Sequence, residues 1–166
     1  MREKLTRSDV AKIEAEIEHR KLVLRPQLIE AVKEARAQGD LSENFEYYAA
    51  KREKNQNESR IGYLDRMLKT AIIIDDESSD DRVGLNKVVE VYFPEDDETE
   101  SFRIVTSIRG DSLNGYISIE SPFGKALLGH RAGDTVHIEA GAGGYDVEIR
   151  TVSAAQDDSE DAIRRF

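Results

Sequence analysis

Residues 39–53 read Gly-Asp-Leu-Ser-Glu-Asn-Phe-Glu-Tyr-Tyr-Ala-Ala-Lys-Arg-Glu, and the organisation of the chain follows from what stands on either side of them. Upstream, from Ser8 to about Ala37, there is no glycine, and Val10, Ile13, Ile17, Leu24, Leu28, Ala31 and Ala35 recur at spacings of three, four or seven. That is the apolar stripe of a helix. Downstream, Ile61, Leu64, Leu68 and Ala71 step by three, four and three, which marks a narrow seam of the coiled-coil kind. Gly39 suits the left-handed residue that ends a helix, and the short connection from Gln38 to Ser42 makes the two helices antiparallel. Pro26 interrupts the first stripe; it removes a backbone hydrogen bond and crowds the preceding turn, so a bend is expected there. The spacing thus predicts a helical hairpin over residues 1–74 with its tip near 38–46. Arms of about 30 residues at ~1.5 Å rise would be ~45 Å long, far more than a small core requires.

Beyond the hairpin the pattern changes. Asp75-Asp-Glu-Ser-Ser-Asp-Asp81 is self-repelling and poor in apolar residues, and residues 75–82 read as an acidic linker. After it the period becomes two: Val89, Val91 and Phe93 alternate with Val88, Glu90 and Tyr92. Similar runs at 102–106, 115–119, 134–139 and 145–152 complete about five strands. Ser121-Pro122, then Phe123 to Leu128 and Gly129, read as an N-cap, a proline at the first helical position, a short helix and a glycine stop. The fold class predicted is α+β with two domains, the second over residues 83–152. Residues 153–166 are acidic and polar and are expected to form a disordered tail.

The 166 residues contain no Cys, which removes disulfide scaffolds, thiolate metal sites and cysteine nucleophiles. Net charge is −10, against general affinity for nucleic acid or an anionic membrane. The charge is unevenly placed: residues 1–74 hold 15 Lys+Arg and 13 Asp+Glu, whereas residues 75–166 hold 9 and 21. No apolar run approaches the ~18 residues of a membrane span, and the start, MREKLTRSD, lacks a signal-peptide core; a cytoplasmic protein without a membrane partner is expected. His19, His130 and His137 lack the spacing of a zinc site. Gly141 to Gly144 has no P-loop Lys-Ser/Thr after it and reads as a hairpin turn.

At the tip, Asp40, Glu43 and Glu46 step by three at the start of the second helix. Two accounts stand on the residues alone. Asp40 can be an N-cap with Glu43 as its capping-box partner, since acids near a helix N-terminus complement its dipole. Alternatively, two exposed carboxylates can share a divalent cation, because Mg²⁺ accepts one or two carboxylates and takes water or phosphate oxygens for the rest. The remaining ligands must then come from a partner. Behind the tip, Lys51, Arg52, Lys54, Arg60, Arg66 and Lys69 outnumber Glu53, Glu58 and Asp65, so the shaft is locally basic and suited either to solvent or to RNA phosphate.

The tip segment resembles the signature of the bacterial GreA/GreB transcript cleavage factors, closer to the GreA branch in its LSEN wording. A second stretch, Gly115-Tyr-Ile-Ser-Ile-Glu-Ser-Pro-Phe-Gly-Lys-Ala-Leu-Leu-Gly129, is similar to the family's C-terminal segment, and the order of the two agrees. The resemblance implies an antiparallel coiled coil that enters the secondary channel of RNA polymerase and an FKBP-like domain with an antiparallel sheet that docks at its entrance. It implies that the polymerase itself, holding Mg²⁺, cleaves the backtracked nascent RNA near its 3′ end, and that the factor is not an enzyme. Asp40 and Glu43 match the family's catalytic, metal-binding pair, shared with polymerase; the cation is not held tightly by the isolated chain. Asn44, Glu46 and Tyr47 match supporting tip positions, Lys51 and Arg52 lie on the RNA-facing stem, and Ser121 and Pro122 fall near the docking surface. Phe45 and Tyr48 depart from the family pattern, where alanine and histidine are usual; they suit base stacking or a hairpin core equally.

Two rivals accompany this reading. A channel-binding inhibitor or coiled-coil adaptor would use the tip acids as caps only. A peptidyl-prolyl isomerase would need an aromatic pocket, for which Tyr92, Phe93, Phe102, Tyr116, Phe123 and Tyr145 are available.

Overall fold

The computed structural model describes residues 2–39, 44–75, 81–154 and 161–165. They divide into two compact units, one of Met1–Glu3 with Val10–Ile72 and one of Lys4–Asp9 with Ile73–Phe166.

In the first unit, α1 (Arg7–His19) leads through a π-helical segment, Arg20–Leu24, into α2 (Arg25–Arg36), and α3 (Phe45–Thr70) returns. The return is antiparallel: Glu16 meets Arg60, Arg20 meets Asn57, and Arg36 meets Tyr47. The buried face of α3 carries Tyr47, Asn57, Arg60, Ile61, Leu64 and Met67. Ile61 and Leu64 belong to the stripe seen in the sequence; Met67 takes the buried place that Leu68 was expected to fill, and Ala71 caps the helix end. Pro26 does not end the helix. The Arg25 N–H reaches back five residues to the Arg20 carbonyl, and this wider π turn relieves the crowding that a proline ring imposes on the turn before it.

The second unit is built on a mixed five-stranded sheet. Its strands are β3 (Lys87–Phe93), β4 (Glu98–Val105), β5 (Tyr116–Ser118), β6 (Thr135–Ile138) and β7 (Tyr145–Ala154), in the order β5-β4-β3-β7-β6. The numbering starts there because β1 (Lys4–Leu5) and β2 (Ile72–Ile73) are two-residue strands. Four strands pair antiparallel, with Val89 opposite Phe102 and Val136 opposite Val147. The expectation of a wholly antiparallel sheet is corrected at one edge, where β5 runs parallel to β4 with Ile104 opposite Ile117. Between them the chain does not make a tight hairpin; it folds into two 3₁₀ turns, Ser107–Arg109 and Ser112–Asn114, which carry it back before β5 begins. β4 also starts earlier than its apolar pattern, because Glu98 to Ser101 are exposed and show no alternation to read.

Val83, Val89, Val91, Ile104, Ile119, Leu127, Val136, Ile138, Val147 and Ile149 form the core of this unit. At ~1.5–3 kcal/mol for each buried aliphatic side chain, they dominate its stability. α4 (Pro122–Leu127) has Ser121 as its N-cap, with Oγ accepting from the Gly124 N–H at 3.0 Å, and Pro122 at its start, as the sequence indicates. Gly124 is required there because a Cβ would run into the Ser118 carbonyl oxygen.

Two segments depart from the organisation expected from periodicity. Lys4–Asp9 groups with the sheet unit: Leu5 is fully buried, the Ile74 N–H donates to its carbonyl at 2.9 Å, and Lys4 pairs with Glu120 at 3.1 Å. The stretch from Ser153, expected to be a disordered tail, is partly ordered: Ser153 and Ala154 extend β7 opposite Val88 and Lys87, and Asp161 is buried. Residues 76–80 of the linker and 155–160 of the tail lie outside the described residues.

Candidate functional site

The chemistry singled out in the sequence gathers where α2 gives way to α3. α2 closes at Arg36, with Ala37 as its C-cap, and Gly39 follows at φ +134°, a conformation that L side chains rarely adopt. α3 opens at Phe45, and its N-cap is Asn44. Asn44 has two duties: its Oδ1 accepts from the Tyr47 N–H at 3.0 Å, and its Nδ2 donates to the Ala35 carbonyl at 2.6 Å. One side chain therefore caps the second helix and pins it to the end of the first. A cap of this kind contributes about 1 kcal/mol.

This placement bears on the bland account of the tip acids. The N-cap of α3 is Asn44, four residues after Asp40 in sequence. The capping box expected for Asp40 and Glu43 falls on residues 40–43. Both residues lie outside the described residues, so their side chains have no further structural account.

Tyr47 is buried, with the Arg36 guanidinium 5.5 Å from its ring centroid and Arg36 Nη2 3.4 Å from its hydroxyl. The hydrogen bond from Arg36, opposed by partial desolvation and aided by the charge of Lys51, holds the phenol below its ordinary value of 10.0. Tyr47 is thus a packing residue of the hairpin end. Its neighbour Tyr48 meets it edge to face at 5.4 Å and is 47% exposed, and Phe45 is 85% exposed. Of the two roles open for these aromatics, hairpin core does not describe Phe45. Glu46 is exposed in the first turn of α3, where a carboxylate complements the helix dipole, and Lys51 and Arg52 are exposed on the same helix.

Lower on the shaft the basic residues are partly committed. Arg60 is 5% exposed and grips Glu16 at 2.8 Å, Arg20 joins the same carboxylate, and Arg25 makes a two-pronged pair with Glu58 at 2.9 and 2.8 Å. These three arginines hold the arms together, whereas Lys51 and Arg52 are exposed on the stem, as are Arg66 and Lys69, the last paired with Asp65 at 2.9 Å.

In the sheet unit, Ser121 is half-buried and occupied as a cap, and Pro122 is exposed. The aromatic residues of the isomerase rival mostly meet one another: Phe93 and Phe123 stack at 6.2 Å, Phe102 meets Phe123 at 5.1 Å, and Tyr145 lies 6.3 Å from Phe93. The cavity beside Phe93 and Tyr145, about 220 Å³, is shared with Glu95, Asp96 and Asp146, an acidic lining unsuited to an apolar proline ring. Gly141 to Gly143 form the turn between β6 and β7, as the sequence indicates. His130 and His137 each pair with a carboxylate, at 3.1 and 2.8 Å. Among the described residues no group of three or more His, Cys, Asp or Glu is arranged to hold a metal ion.

Sequence reasoning passed over the capping role of Asn44 and the segment Lys4–Asp9. Signals for both were present. Asn44 is a strong N-cap type, and Thr6-Arg-Ser-Asp9 is itself a capping box: Thr6 N–H donates to Asp9 Oδ2 at 3.0 Å and Asp9 N–H to Thr6 Oγ1 at 3.2 Å.

Comparison with known proteins agrees with the two-part architecture. The family model described as transcription elongation factor, N-terminal, matches residues 3–73, and that described as transcription elongation factor, GreA/GreB, C-terminal, matches residues 77–154. The chain belongs to the GreA/GreB family of transcription elongation factors. Among curated relatives, the transcription elongation factor GreA of Limosilactobacillus fermentum is 44% identical over 149 residues, covering 89% of this chain and 94% of that one. The GreA of Streptococcus pneumoniae serotype 19F is 42% identical over the same length, with 93% of it covered. Among solved structures, GreA factor homolog 1 of Thermus thermophilus is 29% identical, with 93% of this chain and all of that one covered, at a TM-score of 0.42. The GreA/GreB factor from Nitrosomonas europaea is 20% identical, with 92% of this chain and 98% of that one covered, at 0.40. No helix among the described residues is long and apolar enough to cross a membrane.

Proposed function

We propose that this elongation factor binds RNA polymerase through the secondary channel and stimulates the polymerase's own Mg²⁺-dependent cleavage of backtracked RNA, with Asp40 and Glu43 as the carboxylates it contributes. The observation that carries the reading is the family match over residues 3–73, which spans the tip segment with Asp40 and Glu43 just ahead of Asn44, the N-cap of α3, in sequence. Two acids close in sequence, on the connection between two antiparallel helices, suit a hard cation whose other ligands lie elsewhere.

The donor set fits Mg²⁺, since carboxylate oxygens are its preferred protein ligands and two are too few to hold it alone. When bound at such a shared site, a second metal ion lowers the pKa of water and neutralises developing charge at the scissile phosphate. The chain's own part is positional. Asn44 and the Arg36–Tyr47 contact fix the ends of α2 and α3 that the acid-bearing segment connects, and exposed Lys51 and Arg52 stand on the stem where RNA phosphate would pass. Phe45, exposed beside the cap, offers a face for a base of the extruded RNA 3′ end. Cleavage belongs to the polymerase, and Ser121-Pro122 is the surface proposed to dock on it.

The test is the paired substitution Asp40→Asn with Glu43→Gln. Because Asn44 caps α3, the variant is expected to keep the hairpin, to compete with wild type for polymerase, and to lose stimulated cleavage of RNA in halted, backtracked complexes. Undiminished cleavage would overturn the assignment of the two carboxylates. Wild type that binds polymerase and slows it without cleavage would instead support the inhibitor.

A further inference from the structure

The family match ends at residue 154, where β7 also ends, and the chain continues. Beyond that point Asp161 is buried, its side chain 1% exposed. Its two oxygens are held by two arginines: Oδ1 accepts from Arg103 Nη1 at 2.9 Å and Oδ2 from Arg109 Nη1 at 3.0 Å. Three residues on, the Arg164 N–H donates to the Ile108 carbonyl at 2.6 Å. One carboxylate and one backbone hydrogen bond thus seat this segment on the turn after β4.

The receiving site is built from the sheet unit itself. Arg109 is wholly buried; its Nε meets Asp9 Oδ1 at 2.7 Å and its Nη1 also reaches Asn86 Oδ1 at 2.9 Å. Asp9 is fixed in turn by Thr106 Oγ1 at 2.7 Å, and Arg103 lies over the Tyr116 ring at 5.7 Å. Asp161 adds a second carboxylate, beside that of Asp9, to the two guanidinium groups. Buried charge is tolerated only when it is paired and hydrogen-bonded, so the site calls for an anion. Two arginines on one carboxylate are the geometry that charge-assisted hydrogen bonding favours.

We propose that Arg103 and Arg109 form a carboxylate-binding site for a peptide segment that presents an aspartate, and that the chain's own residues from Asp161 to Arg165 are its resident ligand, a strap laid on a sheet that is complete without it. Because Arg109 also holds Asp9, the same guanidinium joins the segment that precedes the hairpin to the segment that ends the chain. Release of the strap therefore loosens Thr6 and Asp9 as well.

The full chain carrying Asp161→Asn tests this, since the amide keeps the shape and removes the charge. The thermal midpoint of the sheet unit is expected to fall by roughly 5 °C or more. Amide exchange is expected to rise at least about tenfold at Arg164 and to rise also at Asp9. As a second arm, a chain ending at Ala154 is titrated with an acetylated peptide of residues 161–166. Saturable binding that restores the midpoint, and its loss when the peptide carries D161N, are the expected results. An unchanged midpoint and unchanged exchange in the full-length variant would overturn the proposal, whether or not the shortened chain folds. So would rescue by the D161N peptide as good as that by the original.

Discussion

Along the hairpin, the buried side chains on α3 are mixed in kind: Tyr47, Asn57 and Arg60 share its inner face with Ile61, Leu64 and Met67. In the sheet unit the core is, among the described residues, a cluster of ten buried aliphatic residues, and the buried charges of Asp9, Arg109 and Asp161 are paired with one another. The difference separates two ways of holding a fold. A hairpin one seam wide has too little apolar area to set its own register, so polar partners with directional bonds, Glu16 with Arg60 and Arg20 with Asn57, fix which residue faces which. A sheet with one face buried sets its register by the alternation of side chains, and any slip would turn Val89 and Val91 to water.

That contrast can be broken at its strongest point first. Leu64→Ala removes a fully buried side chain from the thin seam and is expected to cost about 2–5 kcal/mol, melting the hairpin at a lower temperature while the sheet unit keeps its transition. Circular dichroism for the helices, with near-ultraviolet signal from Phe93, Phe102 and Tyr145 for the sheet, would separate the two. A single shared transition that moves as one would show that the seam is not an independent element.

A smaller change acts at the hairpin end. Asn44→Ala takes away both the cap on Tyr47 N–H and the bond to the Ala35 carbonyl, and is expected to cost about 1–2 kcal/mol. Its signature is fraying confined to the first turn of α3, read by amide exchange at Tyr47, together with weakened cleavage stimulation. Asn44→Asp keeps the acceptor for Tyr47 but not the donor for Ala35, and separates the two duties. Full cleavage stimulation by the alanine variant would remove Asn44 from the positioning role.

The smallest effect concerns pH. Burial by itself would raise the Glu16 carboxyl, but hydrogen bonds from Arg60 and Arg20, with their charges, outweigh it and hold the group below its ordinary value of 4.5. A carboxyl lowered on folding contributes stability that is present above 4.5 and lost as pH falls below it, because the unfolded chain takes up the proton first. The hairpin transition is therefore expected to weaken between neutral pH and pH below 4.5, and Glu16→Gln to flatten that part of the dependence. An identical slope in the variant would locate the effect in other acids.

Much of this was legible in the linear pattern. The helical stripes, the period-two strands, the Ser121-Pro122 helix start and the change of module near residue 75 are local signals, carried by side chains a few positions apart. The π turn at Pro26 was half legible: the proline announces strain, but whether a helix bends, stops or widens by one residue depends on what the next helix packs against. Glu98 to Ser101 in β4 left no trace, since a strand whose side chains all face water has no alternation to detect.

The sequence by itself determined the two kinds of module and brought Asp40, Glu43 and their aromatic and basic neighbours into one short stretch, because both depend on spacing along the chain. Only the tertiary structure decided that Asn44, not Asp40, caps α3, and that Lys4–Asp9 and Asp161 converge on Arg109. The reason is physical. Asn44 is tied to Ala35, on the other helix, and Arg109 is 100 residues from Asp9 and 52 from Asp161. A cap that bonds across two helices and the pairing of distant charges are settled by which atoms the folded chain brings within about 3 Å, and no local pattern records that distance.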